Sequence, residues 1–357
     1  MPNLPTTNAT KAIACNASYG SGGLGQHFTQ IIEAARQQNT LVRYYSSGIQ
    51  PNDPAGQLIT VPILNSLPYT PLRYSPGWIN YLGGELFDRA VAAHLTSTEA
   101  FEGFGGQSLH CFRRARQLGC EVLHLQAANS HVNHVMRQHS KALQRFGIES
   151  TWLNQTQCQK TLREYQLADI IHVASEYTRQ TFLAEGFPAE NLQRLELTVH
   201  PRFIPPVKRP DDGVLRIVYV GSLTVMKGIP ILLEAFSRLP GTDVQLTLVG
   251  GWATRGMRRY LQTWLARDSR IQIAPGDPLP HLQRASVYVH PTYEDGFAYA
   301  PMEALACGVP AIVTEDTGMK EYIQPGVNGY VIPTGDWEAL LEKLETYKLS
   351  PFTQSSR

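Results

Sequence analysis

The chain alternates short, uninterrupted apolar runs with longer segments whose apolar residues recur at helical spacing. Near its start, KAIACN (11–16) is followed by ASYGSGGLGQHFTQIIEAARQQ. There Gly20, Gly22, Gly23 and Gly25 lead into Phe28, Ile31, Ile32 and Ala35, one face of a helix. The order is strand, glycine loop, helix. EVLHLQAA (121–128) precedes the His-rich NSHVNHVMRQH, and ADIIHVAS (168–175) precedes EYTRQTFLAEGF, a predicted helix that stops at Gly186. After residue 213 the alternation is cleaner. LRIVYVG, VQLTLVGG, IQIAPG, VYVHPT, PAIVTE and GYVIP read as strands. GIPILLEAFSRL, GMRRYLQTWLARD, LPHLQRA, APMEALACG and WEALLEKLETY read as helices. Near-continuous Val, Ile and Leu strands belong to sheets covered on both faces, and repeated strand–helix units build parallel α/β sheets.

The polar, proline-bearing HPRFIPPVKRPDDG (200–213) reads as a linker. The pattern therefore predicts an α/β fold of two doubly wound Rossmann-like domains facing a cleft. Residues 1–200 form the N-terminal domain, 201–213 a linker or hinge, 214–349 the C-terminal domain, and 350–357 a tail. Ligands of such sheets gather beyond the carboxyl ends of the strands.

At 357 residues, two domains of ordinary size are expected. Hydrophobic content of 43% against 17% charged supplies large cores and argues against disorder. A net charge of +1 gives no reason to expect a nucleic-acid partner. The cysteines, at 15, 111, 120, 158 and 307, are odd in number and form no CxxC. That fits a reducing compartment better than a disulfide framework or a zinc site. The first residues lack the charged-then-apolar pattern of a leader, and no apolar run reaches the roughly 18 residues of a membrane span. A cytoplasmic location is expected, with the inner face of the membrane left open.

Two stretches carry candidate chemistry. In VGSLTVMKG (220–228), Gly221 permits a sharp exit from a strand, and Lys227 and Gly228 stand just before a helix. A lysine beside free N–H groups at a helix start suits a diphosphate, although a lysine there is also an ordinary solvated residue. In YEDGFAYAPMEALACGVP (293–310), Asp295 and Glu303 are separated by seven residues, the first on a glycine-bearing loop and the second inside the following helix. Two carboxylates near sugar hydroxyls can each accept charge-assisted hydrogen bonds. The plainer alternative is that both acids only favour the helix N-terminus.

The stretch HPTYEDGFAYAPMEALACGVPAIVTEDTGMKEYIQPGVNGYVIPTGD (290–336) resembles the signature of the GT4-type retaining glycosyltransferases of the GT-B fold, the glycosyl transferases group 1. In that family an acid, seven residues and a glutamate recur. Asp295 takes the first place, usually glutamate, and Glu303 the second; Glu294 is one residue out of register. VYVGSLTVMKGIPILLEAF is similar to the family's phosphate-binding strand and helix, LTLVGG to the next strand, ADIIHVASEYTRQTFLAEGF to the last unit of its N-terminal domain, and GSGGLGQHF to its N-terminal glycine loop. The similarity covers most of the chain and is densest over 213–336.

The resemblance implies transfer of a hexose from a nucleotide-diphosphate sugar, UDP- or GDP-linked, with retention of anomeric configuration. It implies no metal and no cofactor beyond the donor itself, and the chain contains no Asp-x-Asp triplet. It implies a donor site of Gly22, Gly23, Gly221, Ser222, Lys227, Asp295, Gly296, Phe297, Ala298 and Glu303. Lys227 would hold the diphosphate, Glu303 the ribose, and Asp295 with the backbone of 296–298 the sugar. The expected catalytic groups are Lys227, Asp295 and His131, and stabilising the departing diphosphate is the main task.

Some positions depart from the family pattern. Ser222 stands where an arginine is usual, leaving Arg255 or Arg258 to supply that charge. In place of a His-x-His after the central strand the chain has His124 and Gln126, with His131 or His134 as substitutes. The chain ends LEKLETYKLSPFTQSSR where the family usually continues into a returning helix, so a short or lost crossover is expected. Ser222 and this ending support the alternative of a catalytically weak sugar-nucleotide-binding relative serving as a partner or regulator. The acceptor is not encoded in any motif: a soluble sugar, a polysaccharide precursor and a lipid all remain. The aromatic segment 67–95, with Tyr69, Arg73, Tyr74, Trp78, Tyr81 and Phe87, could make a peripheral membrane contact. Without a basic cluster, it more readily covers a core or lines an acceptor pocket.

Overall fold

The computed structural model describes residues 9–63, 69–252 and 254–349. Leu67, Pro68, the Arg73 side chain and the tail 350–357 lie outside the described residues. The chain divides into two compact units, 1–136 with 151–198 and 137–150 with 199–357.

The first unit is built on β1 (Lys11–Ser18), β2 (Leu41–Gly48), β3 (Gly56–Leu58), β4 (Ala100–Phe104), β5 (Val122–Ala127), β6 (Ile170–Val173) and β7 (Leu192–Arg194). They pair in parallel, in the order β3-β2-β1-β4-β5-β6-β7. The helices are α1 (Gly22–Gln37), α2 (Pro76–His94), α3 (Leu109–Gln117), α4 (Val132–Phe146), α5 (Gln155–Leu167) and α6 (Glu176–Leu183). The division between units falls inside α4.

The second unit carries β8 (Leu215–Val220), β9 (Val244–Val249), β10 (Ile271–Ile273), β11 (Val287–His290), β12 (Ala311–Thr314) and β13 (Gly329–Ile332), also all parallel, in the order β10-β9-β8-β11-β12-β13. Its helices are α7 (Ile229–Arg238), α8 (Arg255–Arg267), α9 (Leu279–Arg284), α10 (Tyr299–Ala306) and α11 (Trp337–Leu349). In each sheet the order of strand addition reverses beside the first strand, at β1/β4 and at β8/β11. Such switch points open a crevice at the carboxyl ends of the strands.

The central strands are as dry as the sequence implies: Ile217, Tyr219, Leu246, Leu248, Val287 and Val289 are buried. The sequence assigned 137–150 to the first domain, whereas the structure groups it with the second. Ala142, Leu143, Phe146 and Ile148 pack into the second unit's core. Glu149 accepts the Val225 N–H at 2.6 Å and the Thr254 hydroxyl at 2.7 Å. The aromatic segment divides between roles: Phe87 is buried, while Tyr69, Tyr74 and Trp78 are exposed. Among the described residues no helix is long and apolar enough to cross a membrane.

Candidate functional site

The second unit's switch point is assembled by glycines that let two loops touch backbone to backbone. At Gly228 (φ 72°) a Cβ would run into the carbonyl oxygen of Pro291, so only glycine lets the loop after β8 lie against the loop after β11. Buried Leu223, Val225 and Met226 anchor the first loop from below. The Leu223 N–H donates to Gly251 O at 2.8 Å. This packing brings residues 68 positions apart together: Lys227 Nζ lies 2.5 Å from Asp295 Oδ2.

Asp295 has a second partner. His290, the last residue of β11, places Nε2 3.2 Å from the same oxygen, and its Nδ1 lies 3.2 Å from the Tyr288 hydroxyl. Burial would raise the Asp295 carboxyl, but Lys227 and His290 outweigh it and hold it well below the usual carboxylate range. Burial lowers His290 despite Asp295, so the imidazole is neutral near pH 7. A neutral ring serves both neighbours if Nε2–H donates to Asp295 and Nδ1 accepts from Tyr288. Burial works against the Lys227 ammonium, yet Asp295 reverses this and raises it. The pair is therefore a fixed plus–minus couple at the strand ends.

The Asp295 loop runs into α10 through a backbone outlier. Ala298 sits at φ 65°, left-handed for a residue with a Cβ, with no side-chain cap on the helix. A conformation of this kind costs on the order of 1–3 kcal/mol and is concentrated at functional sites. Phe297 is buried, its ring edge-on to Tyr299 and Tyr322. Glu303 is buried within α10, and its charge adds to burial in raising the phenols of Tyr288 and Tyr299. Glu294 is buried too, but it is Asp295 that meets Lys227. Ser222 is exposed, and its carbonyl accepts the Tyr219 hydroxyl at 2.9 Å. Arg255 opens α8, and the Arg258 guanidinium lies 5.6 Å from the Trp252 ring centre.

In the first unit, Gly22 and Gly23 open α1 and are exposed, and Ser21 makes no side-chain cap bond there. His131 is enclosed: its ring lies 5.0, 5.0 and 5.5 Å from Tyr165, Phe182 and Phe187, and its backbone N–H donates to Thr181 Oγ1. That position suits packing better than contact with a substrate. His134 Nε2 meets the Tyr177 hydroxyl at 2.9 Å, and His124 Nδ1 meets His172 Nε2 at 3.0 Å. Gln126 is spent between His27 and Glu102. The carboxylates of Glu85 and Asp88, with His110, are close enough to hold a cation, but Lys160 Nζ already lies 2.8 Å from both carboxylates.

Residues 202–356 match the family model of the glycosyl transferases group 1. The match covers the second unit from residue 202 onwards. The capsular polysaccharide biosynthesis glycosyltransferase CapM of Staphylococcus aureus is 31% identical over 136 residues, 36% of this chain and 35% of that protein. A second curated relative, the putative colanic acid glycosyltransferase WcaL of Escherichia coli, aligns over 47% of its own length at 28% identity. The chain thus spans a third to a half of the length of these relatives. Over nearly the whole chain the fold is that of sucrose-phosphate synthase from Thermosynechococcus elongatus, with TM-score 0.73 and 20% identity over 96% of this chain and 90% of that one. Anabaena HepE in complex with UDP and glucose gives TM-score 0.68 at 14% identity, covering 95% and 89%. These likenesses establish a GT-B fold.

In the second unit, Gly221, Lys227, Asp295, Gly296, Phe297, Ala298 and Glu303 lie on the loops and helix that follow β8 and β11. His290 has no place in the sequence motif, although it stands five residues before Asp295 at a strand end. The signal was its polarity: β11 reads VYVH, and a polar ring closing an apolar strand faces either solvent or a partner.

Proposed function

We propose that the chain is a glycosyltransferase that moves a hexose from a nucleotide-diphosphate sugar to an acceptor hydroxyl, with retention and without a metal. The observation that carries this reading is the Lys227–Asp295 pair, held across two loops at the switch point of the unit that the glycosyl transferases group 1 family model matches. The ammonium meets the diphosphate, while Asp295 and the backbone of Gly296, Phe297 and Ala298 hold the sugar. Glu303 accepts from the ribose. Gly22 and Gly23, at the exposed start of α1 in the first unit, are the proposed contacts there to a phosphate or to the acceptor. UDP is the favoured nucleotide, since a structural neighbour is a complex with UDP and glucose.

When the bond between the anomeric carbon and the diphosphate oxygen breaks, its electron pair leaves with the diphosphate. Lys227 stabilises that growing charge, a role worth about 10²–10³ in turnover for a single well-placed donor. The leaving oxygen takes the acceptor's proton while the acceptor oxygen bonds to the same face of the sugar. A fixed ammonium and N–H groups do the work a metal would otherwise do. The five cysteines are buried free thiols, which suits a reducing cytoplasm. An intact Lys227–Asp295 couple speaks against a merely binding relative.

The test is nucleotide release from a panel of UDP- and GDP-hexoses in the presence of a chelator. Release by the wild type that falls at least about 100-fold in Lys227→Ala is expected. Release that vanishes in chelator and returns with magnesium or manganese overturns metal independence, and no release from any donor overturns the enzyme reading.

A further inference from the structure

Lys227 Nζ and His290 Nε2 reach the same oxygen of Asp295, Oδ2. The imidazole behind that contact closes β11 and is only 3% exposed. Its other nitrogen, Nδ1, lies 3.2 Å from the Tyr288 hydroxyl, and the same hydroxyl lies 3.3 Å from Val220 O. Tyr288 has one proton to give, so with a neutral His290 it cannot serve both acceptors. An imidazolium removes the conflict. Nε2–H then donates to Asp295, Nδ1–H donates to the Tyr288 oxygen, and the Tyr288 O–H donates to Val220 O. The hydrogen-bond frame fits the protonated ring better than the neutral one.

The surrounding charges explain why the ring is nonetheless neutral. Burial lowers His290, Asp295 raises it, and the Lys227 ammonium lowers it again. Lys227 also faces Glu294, on the Asp295 loop, and His139 of the 137–150 segment, which burial and then Lys227 hold at about 3. The rings of Tyr219 and Tyr288 lie 6.3 and 6.2 Å from His290, and burial keeps both phenols protonated, with Glu303 of α10 adding to this at Tyr288. Among these groups Lys227 is the one fixed cation, and the function proposed above sends it to the diphosphate. Asp295 would then stay behind as a buried carboxylate without a cation. A buried charge stripped of its partner is strongly destabilising.

We infer that His290 is a positioning residue for Asp295, which takes up a proton and replaces Lys227 as its cation when Lys227 is drawn away. The inference rests on the proposed function only for what draws the lysine off, the donor diphosphate. The proton comes from solvent and binds Nδ1, since Nε2 already carries its own. Asp295 thus keeps its charge and its place for the sugar. Withdrawing Lys227 raises His290, and an arriving diphosphate raises it further. The donor-bound ring therefore holds its proton to higher pH than the free ring, so donor binding takes up a proton and tightens as pH falls between the two values. Each unit of rise is worth about tenfold in donor affinity across that window.

Two measurements test this. His290 is one of 11 histidines, and its ring nitrogen-15 signals are assigned by their loss in His290→Gln. They are followed against pH in the wild type and in Lys227→Met, with folding checked by thermal melting. In Lys227→Met the ring is expected to become an imidazolium at least about one pH unit higher than in the wild type. An unmoved titration, or a ring that stays neutral in the folded variant, overturns the inference. The second measurement needs no change at Lys227. UDP-glucose, UDP-galactose and GDP-mannose, whose diphosphate diesters do not titrate near neutrality, are bound calorimetrically in buffers of different ionisation enthalpy. Proton uptake is expected at about pH 6, with affinity rising about tenfold from about pH 8 to about pH 5.5. His290→Gln keeps an amide donor for Asp295 but does not titrate, so it should retain more affinity than His290→Leu and lose the uptake. Donor binding without uptake, or uptake that survives in His290→Gln, overturns the inference. Nucleotide release is measured in parallel. Release without proton uptake leaves the transferase reading standing and the His290 role overturned. A raised His290 in Lys227→Met with no donor bound or turned over leaves the His290 role standing and the transferase reading overturned.

Discussion

Lys227 and Asp295 form an ion pair, and in the function proposed above each becomes available to a different part of one donor. Substituting either should therefore separate binding from stability. Glu303→Ala is expected to weaken UDP binding by about 1.5–3 kcal/mol, the usual worth of a hydrogen bond to a charged group. Calorimetric affinity equal to the wild type would remove Glu303 from the site. The ion pair also predicts a pH signature. Asp295 is depressed in the folded state, so its contribution is complete above the ordinary aspartate value of about 4 and is lost as pH falls towards the depressed value. Melting temperatures of wild type and Asp295→Asn should differ most between about pH 5 and 7 and converge in stronger acid. A gap that widens below pH 4 would contradict the assignment. The motif residues were legible because spacing and glycine chemistry are local. His290 was not, because its significance depends on Lys227, which reaches Asp295 only through the contact of Gly228 with Pro291.

At the scale of elements, the strands rich in Val, Ile and Leu in the second unit were readable from their apolar runs. β2 (LVRYYSSG) and β4 (AFEGF) were not, since tyrosines, serines and an inward Glu102 interrupt the pattern. Glu102 is tolerated because Lys11 lies 3.2 Å away and Gln126 donates to it; against burial, these neighbours and two histidines hold its carboxyl down at about 2. Helices α3 and α5 depend on each other through buried polar groups that no periodicity reveals. The Glu164 carboxylate of α5 accepts three N–H groups at the start of α3, while burial, only partly opposed by Lys160, pushes it up to about 8. Glu164→Ala would orphan all three donors, at about 1–3 kcal/mol each. A loss of at least ~3 kcal/mol in urea denaturation is expected; a loss below ~1 kcal/mol would show that water replaces the carboxylate.

At the scale of the whole molecule, the two-sheet α/β architecture followed from the alternation of strands and helices, but the allocation of 137–150 did not. That segment lies in sequence beside first-unit elements, yet its apolar residues complete the second unit's core, and Glu149 ties it to Val225 and Thr254. Sequence order cannot reveal which core a helix end will join when both cores are apolar. Glu149→Ala should accordingly disturb the loop that carries Lys227 and weaken nucleotide binding as well as stability, whereas the loss would be confined to stability if the loop were rigid without it. The proposed donor seat is the β8/β11 switch point, and it is tested by hydrogen exchange followed by mass spectrometry, with and without saturating UDP-hexose. Protection is predicted in peptides spanning 221–228 and 294–303. Saturation with donor that leaves both peptides exchanging at their free rates would contradict it.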